Sequence, residues 1–441
     1  HTHKKKKNNK EFINRIIMGA QLSRVLKLIN NNNNQQHRVE RDERSESYTL
    51  PDDVNENSTR LDCRSARIYV VPEEMMKLTN LNWLQLSQNY LKKIPSSIGN
   101  LTNLKTLRLF SNEIEEFPPE IGLLQNLTIL DAGKNKLSLI CPELCNCVSL
   151  TELNLQWNSI KELPDEIGKL TNLKLLNLYI NRISTLPESV GQLKNLETLD
   201  IAHNCILTLP PIFGSLVSLT SVNMVGNGFT SFPDEVENLI GMKKFDFRCN
   251  YVENLPDGVC KLPVRYFHAR NNALTKLPDN FGELSDLQDC RLDTNLLTCL
   301  PDSVGNLKSL KVFLLFENSI SSITPHLGNL SGLIELDLSQ NQLAELPEEL
   351  SNLNSLERLF LTKNYFEEVP PCIGKLSSLV HFEIVNNRIS KLTGDIIGGL
   401  NNLCKLNLSL NSITCLPIEI CNLPNLQYLE IAYNSLESLP D

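Results

Sequence analysis

The sequence predicts an α/β solenoid, a stack of parallel strands that buries one continuous aliphatic core. Three observations lead there. A pattern about 23 residues long recurs along most of the chain, its leucines alternate as strand residues do, and one asparagine holds a fixed place in every copy. "LNWLQLSQNYLKKIPSSIGN" from Leu81 returns as "LKTLRLFSNEIEEFPPEIGL" from Leu104 and as "LTELNLQWNSIKELPDEIGK" from Leu150. With 441 residues the chain exceeds the ~250–300 at which a single core stops growing. A quasi-one-dimensional array resolves that excess, because each unit packs only against its neighbours.

Along the chain, residues 1–60 come first, a polar tail without periodicity. "NNNNQQ" from Asn31 and "VERDERSES" from Val39 cannot bury enough apolar surface to fold, so this stretch is expected to be disordered. Residues 61–80 hold a degenerate copy of the repeat (Leu61, Cys63, Ile68, Val71-Pro72) where an N-terminal cap belongs. Residues 81–441 carry sixteen repeats, marked by asparagines from Asn89 to Asn434. In each, the x-L-x-L-x segment is a strand with both leucines on one face. The asparagine leaves the strand at a turn, where its amide can satisfy backbone groups outside the ladder. Proline sets an extended turn, and glycine relieves crowding between neighbouring units. The unit describes a leucine-rich-repeat horseshoe with its parallel sheet on the concave face, on the order of 75 Å along the inner arc at ~4.8 Å per strand. The chain stops at "SLPD" midway through a repeat, without a polar cap, which points to truncation at the C-terminus.

Composition narrows the function. The net charge is −9, with a balance of +5 in residues 1–17, so the body is acidic and no nucleic-acid partner is expected. No apolar run reaches the ~20 residues of a spanning helix, and no secretory h-region is present. Thirteen cysteines scatter from Cys63 to Cys421 without an end cluster, which favours free thiols and a cytoplasmic location. Cys141, Cys145 and Cys147 ("CPELCNC") suggest a metal knuckle until register is applied. Cys147 then fills a leucine slot and Cys145 a glycine slot, as Cys260 and Cys421 do, while Cys290 replaces a strand leucine. No phosphate-binding loop, nucleophile elbow or kinase motif set occurs, so the residues present encode no enzyme and call for no cofactor or metal.

Residues 81–441 resemble the Ras-group leucine-rich-repeat proteins, through the tail seen in Leu163-Pro164-Asp165-Glu166-Ile167-Gly168-Lys169-Leu170. That family includes Ras-binding scaffolds of the Shoc/Sur type, and similar repeats occur in adenylyl cyclases, Roco-type GTPase-kinases and PP2C-type phosphatases. The resemblance implies an intracellular scaffold of signal transduction whose concave face binds a small GTPase, kinase or phosphatase. The alternative is the recognition arm of a larger signalling enzyme with its catalytic domain beyond residue 441.

Three zones of outward strand positions stand out. Trp157 borders Tyr179 and Ile180, as either a packed aromatic edge or a contact patch. Lys244, Arg248, His268, Arg270 and Arg291 lie on successive strands interleaved with Asp246, Asp289 and Asp293, as either a self-satisfied charge lattice or a surface for acidic partners. Beside them one repeat, Asn250 to Asn272, has 22 residues. In "KVFLLFEN", Phe313 and Leu315 fill core slots, which leaves Val312, Leu314 and Phe316 outward, with Phe360 on the same face two repeats on. Contiguous exposed apolar groups mark a protein contact, or else self-association.

One motif lies outside the repeats. "MGAQLS" from Met18 fits M-G-x-x-x-[ST], the signal for myristoylation of Gly19. On this reading residues 1–17 are translated leader and Met18 is the true start; the alternative is an internal Met-Gly without a role. One acyl chain gives only weak, reversible membrane association, at the inner face of the plasma membrane.

Overall fold

The computed structural model describes residues 48–440. Met18, Gly19 and most of the N-terminal tail lie outside the described residues. The chain divides into two compact units, His1–Ile206 and Leu207–Asp441. Unit 1 contains β1 (Arg60–Asp62), β2 (Trp83–Gln85), β3 (Thr106–Arg108), β4 (Ile129–Asp131), β5 (Glu152–Asn154), β6 (Leu175–Asn177) and β7 (Thr198–Asp200). Unit 2 contains β8 (Ser221–Asn223), β9 (Lys244–Asp246), β10 (Tyr266–His268), β11 (Asp289–Arg291), β12 (Val312–Leu314) and β13 (Glu335–Asp337). It continues with β14 (Arg358–Phe360), β15 (His381–Glu383), β16 (Lys405–Asn407) and β17 (Tyr428–Glu430).

Within each unit every strand pairs in parallel with the next, and the period puts identical slots side by side. Leu61 lies opposite Leu84, Leu84 opposite Leu107, and Leu107 opposite Leu130. The middle residue of every strand from β1 to β16 enters the core and its two neighbours face away, so β1 extends the leucine row with Leu61; in β17 Leu429 is exposed. Cys63, Ile68 and Val71 of the same degenerate copy are buried as well. Burying such side chains stabilises the stack by about 1.5–3 kcal/mol each. Residues 48–59 precede β1 with turns closed by Val54 N–H to the Pro51 carbonyl and Ser58 N–H to the Asn55 carbonyl.

The asparagine does what its spacing predicts. Asn158 donates Nδ2 to the carbonyls of Ala132, one repeat back, and of Leu155, and its Oδ1 accepts the Leu137 N–H at 2.9 Å. Three bonds per residue, repeated along the stack, satisfy backbone that the short ladders cannot reach. The residue before this asparagine is left-handed, with φ between 51° and 60° at Gln88, Ser111, Lys134, Trp157, Ile180 and His203. Gly226 meets that demand without strain.

Opposite the strands lie mostly single 3-10 turns rather than α-helices, most of them entered from an extended residue that is usually proline, as at Pro164 (φ −67°, ψ 151°). Neighbouring turns approach closely. A Cβ on Gly282 would lie 1.9 Å from the Ser303 carbonyl oxygen, which is why glycine recurs there. A second asparagine series, not evident from the sequence pattern, ties these turns together. Asn103, Asn126, Asn172 and Asn195 each donate to the carbonyl 24 residues earlier at 2.9–3.0 Å.

Irregular repeats are absorbed on the turn side. In the 22-residue repeat Pro263 holds Leu262 extended (ψ 135°), as Pro424 does Leu423 (ψ 111°), where most leucines at this place have ψ near 60°. Register survives, with Tyr266 opposite both Lys244 and Asp289. Beneath it, Phe232, Phe245, Phe247, Phe267 and Phe281 pack at ring-centroid separations of 5.0–6.0 Å. From Asn387 to Asn411 one extra residue lets the turn widen into a short helix, α1 (Gly394–Gly398).

Candidate interaction surface

The face of the strands away from the core presents three positions per repeat: the first and third strand residues and the residue two further on. In unit 1 that face is mostly polar. The Asp131 carboxylate accepts from Asn154 Nδ2 at 3.0 Å, and Asn177 Nδ2 donates to Gln156 Oε1 at 3.3 Å. Burial pushes the Asp131 carboxyl up from its ordinary value. Reading the third strand position down the register would have found this row. Single motifs do not reveal it.

Trp157 and Tyr179 come together as the sequence suggests. Their rings meet edge to face at 5.9 Å, and Tyr179 continues to His203 at 5.4 Å. Both Trp157 and Tyr179 stay partly open to solvent. Ile180 does not share that surface. It occupies the left-handed place before Asn181 with its side chain buried, so it supports the turn and offers nothing to a partner.

In unit 2 four of the five basic residues form a connected network with Asp246 and Asp289, and Arg270 pairs separately with Asp293. Arg248 grips Asp246 through Nε at 2.8 Å and Nη2 at 2.9 Å, while Lys244 reaches the same carboxylate at 3.2 Å. Arg291 grips Asp289 at 2.9 Å through both Nε and Nη2, and Arg270 Nε stands 3.0 Å from Asp293. His268 sits between Asp246 and Asp289 at the ion-pair distances of 3.7 and 3.6 Å. Burial would raise both carboxyls, but His268, Arg248 and Lys244 hold Asp246 far below the usual range, and His268 and Arg291 bring Asp289 to about 2. Burial also opposes a charge on His268, yet the two aspartates outweigh it and raise its pKa. Asp293 behaves in the opposite way. Burial pushes it up to about 6 despite Arg270. The charges are paired, then, but unequally placed. The side chains of Arg248, Arg270 and Arg291 are 38%, 55% and 41% exposed, whereas those of Asp246, Asp293 and Asp289 are 2%, 2% and 15%.

Next to this network, Phe313 and Leu315 fill the core and leave Val312 and Leu314 of β12, and Phe316 just after it, partly exposed. Arg291 lies opposite Leu314, and the Arg270 guanidinium stands 5.8 Å from the centre of the Phe316 ring. Phe360 is set apart. Asp337 lies between it and Leu314 in the register, and Phe360 packs edge-on against His381 at 4.9 Å. Three further ion pairs follow, Arg358 with Glu335 at 3.0 Å and Glu383 with both His381 and Lys405 at 2.6 and 2.9 Å. Arg358 and Glu335 share a slot on consecutive strands, a signal visible once the repeats are aligned, whereas Glu383 meets His381 on its own strand and Lys405 in a different slot of the next.

Cys145, Cys147 and Cys260 are buried, with thiols pushed up to about 12 by desolvation, and Cys290 is wholly enclosed. Cys421 departs from the expectation of a core residue. It is exposed, because the strand and turn that follow it are themselves largely exposed. All thirteen cysteines are free. Among the described residues no helix is long and apolar enough to cross a membrane.

Family models agree with this architecture. A leucine-rich repeat region matches residues 136–255, a leucine rich repeat matches 57–114 and 377–436, and another matches 332–353. A leucine-rich-repeat protein of Leptospira interrogans shares 32% identity over 83% of this chain and 94% of its own, with a TM-score of 0.73. The chain belongs to the leucine-rich-repeat family. A second similar structure is the Arabidopsis receptor kinase HAESA, in complex with the peptide hormone IDA and the co-receptor SERK1. It has 27% identity over 83% of this chain and 68% of its own, at a TM-score of 0.59. Drosophila Toll, in its complex with Spatzle, shares the fold at 23% identity and a TM-score of 0.74, over 84% of this chain and 53% of Toll's. No curated protein matches the chain. Leucine-rich-repeat domains generally mediate protein–protein interaction, and the fold is typically a non-catalytic module.

Proposed function

We propose that this leucine-rich-repeat chain is a scaffold of signal transduction that receives a protein partner on the strand face of unit 2. The observation that carries the reading is the strip Val312, Leu314 and Phe316. A repeat stacks chiefly through its core slots, so apolar side chains in outward slots add little to stacking. They gain by leaving water against another surface. The HAESA complex supports protein recognition as the task, since that relative is held with a peptide hormone and a co-receptor. The Ras-group resemblance supports a small GTPase, a kinase or a phosphatase as the partner.

The thirteen free thiols favour the cytoplasm as the place of action. A lipid on Gly19 would add weak membrane association there, and labelling with an alkynyl myristate, with and without Gly19→Ala, tests it. Label on the parent chain alone supports the anchor, and an unlabelled parent chain ends it. For the scaffold itself, affinity purification with Phe316→Asp and Arg270→Glu is the test. Both variants should lose partners that the parent chain retains. If both keep every partner, the binding surface lies elsewhere.

A further inference from the structure

The unequal exposure of the ion pairs in unit 2 says more about the partner. Each pair turns its carboxylate inward and its cation outward. Such a surface is formally almost neutral, yet what it presents to an approaching molecule is guanidinium. The pairs of Arg248 and Arg291 use Nε and Nη2, leaving the Nη1 donors outside them. Because their carboxylates hold the guanidinium groups in place, less side-chain freedom is lost when a second anion arrives. Lys244 adds a fourth cation, paired with Asp246.

Directly beside these forks lies the apolar strip. Arg291 adjoins Leu314 in register, and Arg270 stands over Phe316, so cationic and apolar surfaces are continuous. On a chain of net charge −9, an acidic segment meets repulsion over most of the surface and attraction here. Charge complementarity thus selects both the site and the occupant.

We propose that this surface recognises an acidic protein segment carrying a large apolar side chain, its carboxylates on the Arg248, Arg270 and Arg291 forks and its apolar group over Val312, Leu314 and Phe316. The inference rests on the strand-face reading above and specifies the partner's chemistry. A segment with lysines in place of the carboxylates would place cation against cation, and one without the apolar group would leave Phe316 in water.

Fluorescein-labelled pools of nine-residue peptides provide the probe. All have a central Phe, with flanks drawn from Asp and Glu, from Ser and Thr, or from Lys. Anisotropy titrations of the purified chain should show the acidic pool binding about tenfold or more tighter than the Ser/Thr pool, with the Lys pool weakest and the acidic preference falling as salt rises. Arg291→Gln and the double variant Arg270→Gln/Asp293→Asn, which removes both halves of one pair, should erase that preference. Circular dichroism and thermal unfolding confirm that each variant is folded. Equal binding of the three pools, a preference for Lys, or no binding at all overturns the inference. If binding without acidic preference is still lost in Phe316→Ser, the strand-face reading stands and only the partner's chemistry is wrong. Binding indifferent to every one of these substitutions overturns both.

Discussion

Asn181 tests the physical account of the repeat at a single atom pair. Its side chain is fully buried, donates Nδ2 to the carbonyls of Leu155 at 2.9 Å and Leu178 at 3.1 Å, and accepts the Ile160 N–H at 3.0 Å. Replacing it with alanine does not treat the three partners alike. Leu155 keeps the amide of Asn158 and Leu178 keeps that of Asn204, so both carbonyls stay satisfied. The Ile160 N–H is left alone. One orphaned buried donor at about 1–3 kcal/mol, with two acceptors each weakened by about 0.5 kcal/mol, gives a loss of about 2–4 kcal/mol for Asn181→Ala. Asn181→Asp should lose more at neutral pH, because it turns a carboxylate oxygen toward two carbonyls, and its deficit should shrink as acid protonates it. Urea unfolding measures the loss, and hydrogen exchange at the Ile160 amide locates it. A loss below about 1 kcal/mol for Asn181→Ala, with that amide still protected, would refute the claim that the asparagine series carries the strand-to-turn junction.

Three further outcomes are expected. The Asp293 carboxyl, raised by burial from 3.8 to about 6, keeps its proton in the native state where the unfolded chain releases it. Stability from this group therefore falls as pH rises from about 4 to about 6, and Asp293→Asn should flatten that limb of a pH–stability curve even though Arg270, Arg291 and Asp337 stay in place. A curve of unchanged slope rejects the assignment. Lys134 is exposed and held at φ 54°, so Lys134→Gly should raise thermal stability, by about 0.5–1 kcal/mol; a fall would show that the left-handed place costs nothing. Gly282→Ala must force the Ser303 carbonyl away and should destabilise by about 1–3 kcal/mol, whereas Gly398→Ala, whose Cβ meets nothing closer than 3.6 Å, should not.

Much of this architecture was written in the period. Leucine slots, the asparagine turn and the degenerate copy at Leu61 follow from spacing, because a solenoid converts sequence interval directly into neighbourhood. Even the outward place of Val312, Leu314 and Phe316 follows from strand alternation. What spacing could not give was depth. Ile180 looks like an outward neighbour of Tyr179, yet the backbone turns left-handed there and takes its side chain inward. Phe360 shares a face with Leu314, but Asp337 intervenes. A sequence also shows that Arg270 and Asp293 are near each other without showing which is buried, and that asymmetry gives the surface its outward positive character. The second asparagine series was hidden for a simpler reason: it appears in some repeats only, where the apolar residue before the strand is preceded by Asn rather than Ser, Gly, Asp or Pro.

Photo-crosslinking tests the central claim, that the strand face of unit 2 receives a protein. Benzoylphenylalanine at position 316 replaces Phe316 with a similar ring, and the same group at Ile240, an exposed residue just after a 3-10 turn, serves as the reference. Discrete protein adducts from position 316, absent from position 240 and lost on adding Arg270→Glu, are the predicted result. Adducts from position 240 with none from position 316 would contradict it.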